Sequence, residues 1–149
     1  MNKNLLFGKA VEHYIISLMC RKGLDCYVPV NDDKGIDVLV RGESGKTVSV
    51  QIKSTSPDIK KGDAGFFVVG KEKDELNNHF FVFYSGRMNT IWLMTKEELA
   101  SFGSVSTKGK HAGDISIRFN GTKKGEEYAL PRFEQFIAND FSRLVEAVK

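Results

Sequence analysis

Between Ile36 and Lys53, β-branched and aliphatic residues recur at every second position in two short runs, on either side of Gly42-Glu43-Ser44-Gly45-Lys46. A period of two marks a half-buried strand, and a connection with two glycines suits a turn between antiparallel neighbours. The pattern predicts a hairpin. With its turn centred on Ser44, Ile36, Val38 and Val40 share one face with Val48, Val50 and Ile52, and Asp37 falls directly opposite Gln51. Lys53 lies two residues beyond Gln51 and shares its polar face. Such a face commonly does no more than meet water.

Upstream, Phe7, Val11, Tyr14, Ile15, Leu18 and Met19 recur at steps of three and four, which predicts an amphipathic helix over Phe7 to Lys22 stopped by Gly23. Glu12 and His13 sit beside its apolar stripe, and His13 reads as an ordinary helix residue. Cys26 to Val30 predicts a short strand at a sheet edge, because Pro29 cannot donate to a ladder. Asn31-Asp32-Asp33-Lys34-Gly35 is a tight polar connection into the hairpin.

Beyond Lys53 a polar loop with Lys60 and Lys61 leads to the apolar run Phe66 to Val69. A short helix is expected over Lys71 to Asn77. His79 to Tyr84, nearly continuous in apolar residues, predicts a strand covered on both faces, joined through Ser85 to Asn89 to a second strand over Thr90 to Met94. Thr95 and Glu98 form a capping-box pattern that opens the next helix. Ser101 to Gly113, rich in glycine, serine and lysine, predicts a mobile loop. Asp114 to Phe119 and Glu126 to Leu130 predict a second hairpin turning at Asn120 to Gly125. Pro131 then begins a predicted terminal helix with Phe133, Phe136, Ile137, Phe141, Leu144, Val145 and Val148 on one apolar face.

Composition adds bounds. A length of 149 residues suits one domain with a core of its own, so residues 1–149 are expected to form a single unit. A content of 41% hydrophobic and 28% charged residues is ordinary for a globular protein. The net charge of +3 permits a nucleic-acid partner without arguing for one. Cys20 and Cys26 lack a zinc-type spacing. No apolar run is long enough for a membrane span, and a cytoplasmic location without a membrane partner is expected. The stretch around Gly45-Lys46-Thr47 is not a phosphate-binding loop, since Val40 stands where its first glycine is needed and a strand follows in place of a helix.

Carboxylates from a helix and a strand, joined by an amide oxygen and backbone carbonyls, make a hard oxygen site suited to Mg2+ or Mn2+. The order Gly8-Lys9-Ala10-Val11-Glu12 on a helix, Gly35-Ile36-Asp37 on one strand and Gln51-Ile52-Lys53 on the next resembles the PD-(D/E)XK nuclease superfamily, closest to its Holliday-junction-resolvase-like and Mrr-like restriction branches with the Gln-x-Lys variant. The motifs cover about the first third of the chain. The resemblance implies an α/β restriction-endonuclease-like core, a mixed sheet whose central hairpin is flanked by helices. It implies Asp37 as the central metal ligand, Glu12 as a direct or water-mediated one, Gln51 in the place of the second acidic residue, the Ile52 carbonyl as a further ligand and Lys53 as the catalytic lysine.

Two function classes follow. One is a hydrolase, a metal-dependent DNA endonuclease of the restriction, repair or junction-resolving kind, with a homodimer as a way to cut both strands. The other is a catalytically inactive nuclease-fold domain that binds nucleic acid or protein, a reading favoured by the neutral Gln51 and the modest charge. Lys60, Lys61, Lys108, Lys110, Lys123 and Lys124 are candidate phosphate contacts from loops.

Overall fold

The structure, a computed structural model, describes residues 2–31, 35–71 and 77–149. The connection through Asp32, Asp33 and Lys34 and most of the helix expected over Lys71 to Asn77 lie outside the described residues. Helix α1 spans Lys3–Arg21, longer at its start than the apolar stripe requires, because the Asn2 side chain accepts the Asn4 N–H at 2.8 Å and caps it. Gly23, at φ 85°, ends the helical run as expected.

The sequence then supplies β1 (Asp25–Tyr27), β2 (Val38–Arg41), β3 (Thr47–Thr55), β4 (Phe66–Val69), β5 (His79–Ser85) and β6 (Thr90–Thr95). Strands β1, β2, β3, β5 and β6 form a mixed sheet in that spatial order, with β3 and β5 parallel and the other neighbours antiparallel. Parallel strands need a crossover, and here it contains β4, which leaves the sheet. Helix α2 (Lys96–Phe102) carries the predicted capping box, with Thr95 and Glu98 each accepting the other's backbone N–H. Strands β7 (Ser104–Val105) and β8 (Ile115–Arg118) join β4 in a second sheet ordered β4, β8, β7. Strands β9 (Asn120–Lys123) and β10 (Glu126–Ala129) pair as a hairpin, and α3 spans Ser142–Ala147.

The alternation along β5 divides the core. Phe80 and Val82 face a cluster built from Val11, Ile15 and Met19 of α1 with Val38, Val40, Val48, Val50 and Ile52 of the first hairpin. Phe81 and Phe83 face the other way, into a cluster with Phe67, Trp92, Leu99, Ile117 and Phe119. Each of these side chains gains about 1.5–3 kcal/mol on burial, which fixes the register of β5, since a one-residue slip would exchange the two sets. Trp92 and Phe119 stack with centroids 4.5 Å apart and planes 11° from parallel.

Three sequence expectations change. The terminal segment is not one helix: Pro131–Phe136 forms a 3-10 turn, Ile137 bridges Trp92 beside the edge of β6, and Phe141 at φ 56° precedes α3. The apolar residues divide between cores, since Phe133 and Phe136 join the second cluster and Phe141, Leu144 and Val148 the first. The chain must cross the sheet edge to serve both, and a continuous helix would hold them on one side.

The second hairpin is also shifted. Asn120-Gly121 has the composition of a turn, but Asn120 is buried, accepting the Gly65 N–H at 3.1 Å and donating to the Gly62 carbonyl at 3.0 Å, and a Cβ at Gly121 would lie 2.5 Å from the Tyr128 ring. The turn is made by Lys124 and Gly125, both at positive φ, while β8 pairs with β4 and β7. The expected mobile loop over Ser101 to Gly113 carries β7 and closes on itself, with Gly113 N–H donating to the Ser106 carbonyl at 2.7 Å and Ser106 N–H to the Asp114 carbonyl at 2.8 Å.

Candidate active site

The first hairpin has the register that its composition predicts. Val38 pairs with Val50 and Val40 with Val48, so the same register carried one residue further sets Asp37 opposite Gln51. Strand β2 begins at Val38, whereas β3 runs on to Thr55 alongside β5. Asp37 therefore stands where the pairing of β2 with β3 stops. Its backbone N–H donates to the Val50 carbonyl at 2.9 Å, and its Oδ2 accepts the Ile52 N–H at 2.6 Å. The carboxylate thus takes the place of a strand carbonyl, and a short charge-assisted bond fixes its rotamer.

Ser49, Gln51, Lys53 and Thr55 form one row on β3, on the sheet face that bears Phe81 and Phe83. The ends of this row are tied to neighbours: Ser49 Oγ lies 2.6 Å from His79 Nδ1, and Thr55 Oγ1 donates to the Ala64 carbonyl at 2.6 Å. Between them, Gln51 Oε1 is buried with no hydrogen-bond partner among the described residues. An orphaned buried oxygen carries a desolvation cost of about 1–3 kcal/mol, and a site that binds a cation is one physical reason to retain it. Lys53 is half-buried beside it.

Glu12 approaches differently. Helix α1 packs on the opposite sheet face, through Val11, Ile15 and Met19, so Glu12 does not share the face of Gln51 and Lys53. Its carboxylate pairs with Lys9 Nζ at 3.3 Å and is 20% exposed. Among the described residues no group of three His, Cys, Asp or Glu side chains is placed to hold a metal ion. A cation at this edge would depend on Asp37, the Gln51 amide oxygen and main-chain carbonyls, Ile52 included, with Glu12 reached from α1.

Composition gave no sign of the buried polar pair made by Ser49, at the end of the row, and His79. The alternation that places Gln51 and Lys53 also places Ser49, but His79 is brought beside it only by the parallel pairing of β3 with β5. A second unread feature secures the loop after β3. Arg87 forms a two-pronged pair with Glu127, at 2.7 and 3.0 Å, and donates to the carbonyls of Pro57, Ile59 and Lys60, while Glu127 Oε2 also accepts the N–H groups of Gly62 and Ala64. The Arg87 guanidinium and these backbone donors hold the Glu127 carboxyl below the usual carboxylate range, against the opposing effect of its burial.

The candidate lysines separate into two groups. Lys60 and Lys61 belong to that loop, and a Cβ at Gly125 would lie 3.0 Å from Lys61 Nζ, so the loop meets the β9–β10 turn that carries Lys123 and Lys124. Lys108 precedes the Gly109–His111 turn and Lys110 lies within it, beyond the opposite end of β4.

No family model matches the chain, and no curated protein matches it in sequence. Among solved structures it is similar to a bacterial homing endonuclease, I-Ssp6803I, with a TM-score of 0.66 and 20% identity over 99% of this chain and 95% of that one. At this identity the match establishes a shared fold. No helix among the described residues is long and apolar enough to cross a membrane.

Proposed function

We propose that the chain is a metal-dependent DNA endonuclease of the PD-(D/E)XK type, with Asp37, Gln51 and Lys53 as its central residues and Glu12 as an accessory ligand. The observation that carries this reading is the buried Gln51 Oε1, without a hydrogen-bond partner among the described residues, at the point where Asp37 ends the β2–β3 pairing. The likeness in fold to a homing endonuclease supports it.

The donors fit a hard divalent cation, since a carboxylate, an amide oxygen and main-chain carbonyls are the ligand types that Mg2+ and Mn2+ take. Bound there, the cation would polarise a phosphodiester, favour ionisation of a bound water and offset charge on the leaving oxygen. The Ile52 N–H holds the Asp37 carboxylate in one orientation, so less reorganisation is required on binding. Lys53, projecting from the same row as Gln51, presents positive charge to a phosphate at this edge and stabilises the negative charge that grows during hydrolysis.

The test is cleavage of supercoiled plasmid, branched DNA and single-stranded DNA by purified protein with Mg2+, Mn2+ or chelator. Cutting with metal and none with chelator is expected. Cutting that persists in chelator would reject the metal, and intact DNA on every substrate would favour the inactive binding module.

A further inference from the structure

Four lysines from two distant parts of the chain meet at the Gly125 turn. Lys60 and Lys61 come from the loop after β3, and Lys123 and Lys124 from the end of β9 and its turn, all four exposed. Their proximity rests on Lys61, whose ammonium lies against Gly125, where a Cβ would be only 3.0 Å away. Arg87 and Glu127 bind the two segments together, so the lysines project from a braced surface. Nearby acids offset them only in part, Glu126 standing directly opposite Lys123 in the hairpin. Glu127 is paired with Arg87 and Asp63 with Arg118, which leaves Asp58 and Glu126 as exposed carboxylates of the same two segments. Ile59 and Tyr128 line the groove between loop and hairpin, with Tyr128 47% exposed.

We propose that this braced cluster of Lys60, Lys61, Lys123 and Lys124 is a docking surface for the phosphate backbone of duplex DNA, carrying the duplex beyond the scissile position. The inference rests on the proposed nuclease reading and adds where the substrate lies. Lys60 lies seven positions after Lys53, a reach of at most about 25 Å at 3.3–3.6 Å per residue. At 3.4 Å per base pair this places Lys60 within the length of about seven base pairs of Lys53, a span that one bound duplex covers. Lysines serve here as point charges that position the backbone and carry no sequence information.

The test is fluorescence anisotropy of a labelled 20-base-pair duplex in chelator, titrated over a range of salt, with the full chain as wild type, as K61Q/K123Q/K124Q and as the charge-matched control K22Q/K46Q/K149Q. The control lysines lie near the β2–β3 turn and the C-terminus, away from the cluster. Each lost phosphate contact lowers the slope of log affinity against log salt by about 0.9. The cluster variant is expected to lose about 2–3 from that slope and at least about tenfold in affinity near 0.1 M salt, while the control stays within about twofold of wild type. An unchanged slope in the cluster variant, an equal loss in the control or no salt-sensitive binding by wild type would overturn the proposal. Because chelator prevents metal-dependent cutting, the binding result is independent of cleavage: intact DNA in the metal assay together with the predicted slopes would reject the nuclease and leave the docking surface standing.

Discussion

Gln51 shows at the scale of one side chain how function and stability pull apart. Its amide oxygen is buried without a partner among the described residues, so an apolar side chain of similar length relieves a desolvation penalty. Gln51→Met is expected to raise stability by about 1 kcal/mol, read from the urea midpoint, while cleavage falls. A variant that loses both would mark Gln51 as an ordinary packing residue. Asp37 has the opposite character, because its Oδ2 satisfies the Ile52 N–H and truncation to Ala would orphan that donor at a cost of about 1–3 kcal/mol. The cysteines differ in reactivity for a related reason. Burial, a hydrogen bond with Cys20 and nearby negative charge push the Cys26 thiol up to about 12. At pH 8 its thiolate fraction is on the order of 1 in 10,000, so a thiol reagent is expected to label exposed Cys20 rapidly and Cys26 at least about tenfold more slowly, as mass spectrometry of the labelled peptides would report.

Among the elements, the first hairpin was legible and the terminal segment was not. Alternation from Ile36 to Ile52 and the glycines of the turn specify both faces and the register, so Asp37 could be set opposite Gln51 from composition alone. The segment from Pro131 to Val148 has helical spacing in sequence, but its aromatic residues serve two cores on opposite faces of a sheet, a fact that no local pattern contains. Asn120-Gly121 misled for a similar reason, since both residues are committed to tertiary contacts. The loop after β3 is held by a pair that is 65 residues apart at its longest link, from Gly62 to Glu127. The depressed Glu127 carboxyl stabilises the fold above the ordinary glutamate value near 4.3, and that contribution is lost as pH falls through the lower folded value. Wild type is therefore expected to lose more stability than Glu127→Gln between pH 6 and pH 3, compared by urea midpoints. Equal losses would show that the Arg87 pair does not hold the loop.

Across the whole molecule, a mixed sheet buried on both faces leaves one interruption beside its centre, where β2 stops and β3 continues. Gln51 and Lys53 belong to one face of β3 and Asp37 stands at the strand end, while Glu12 lies on the helix layer of the other face, paired with Lys9. The residue types and their order were legible, and the resemblance in motif supplied the roles proposed for them. The placement of Glu12 on the opposite face was not legible, because strand periodicity says nothing about which side of a sheet a preceding helix covers. The lysines were legible as candidate phosphate contacts in separate loops, but that two of those loops share one surface follows only from Lys61 lying against Gly125.

The most direct measurement is single-turnover cleavage by Asp37→Asn beside wild type, with Mg2+ or Mn2+, after duplex binding has been measured for both in chelator. The amide keeps an oxygen for the Ile52 N–H, so folding and binding are expected to match wild type, while loss of the carboxylate charge lowers cleavage at least about 100-fold, equivalent to about 2.7 kcal/mol. Metal-dependent cleavage at the wild-type rate by a folded Asp37→Asn protein would contradict the account and move the chemistry away from this hairpin.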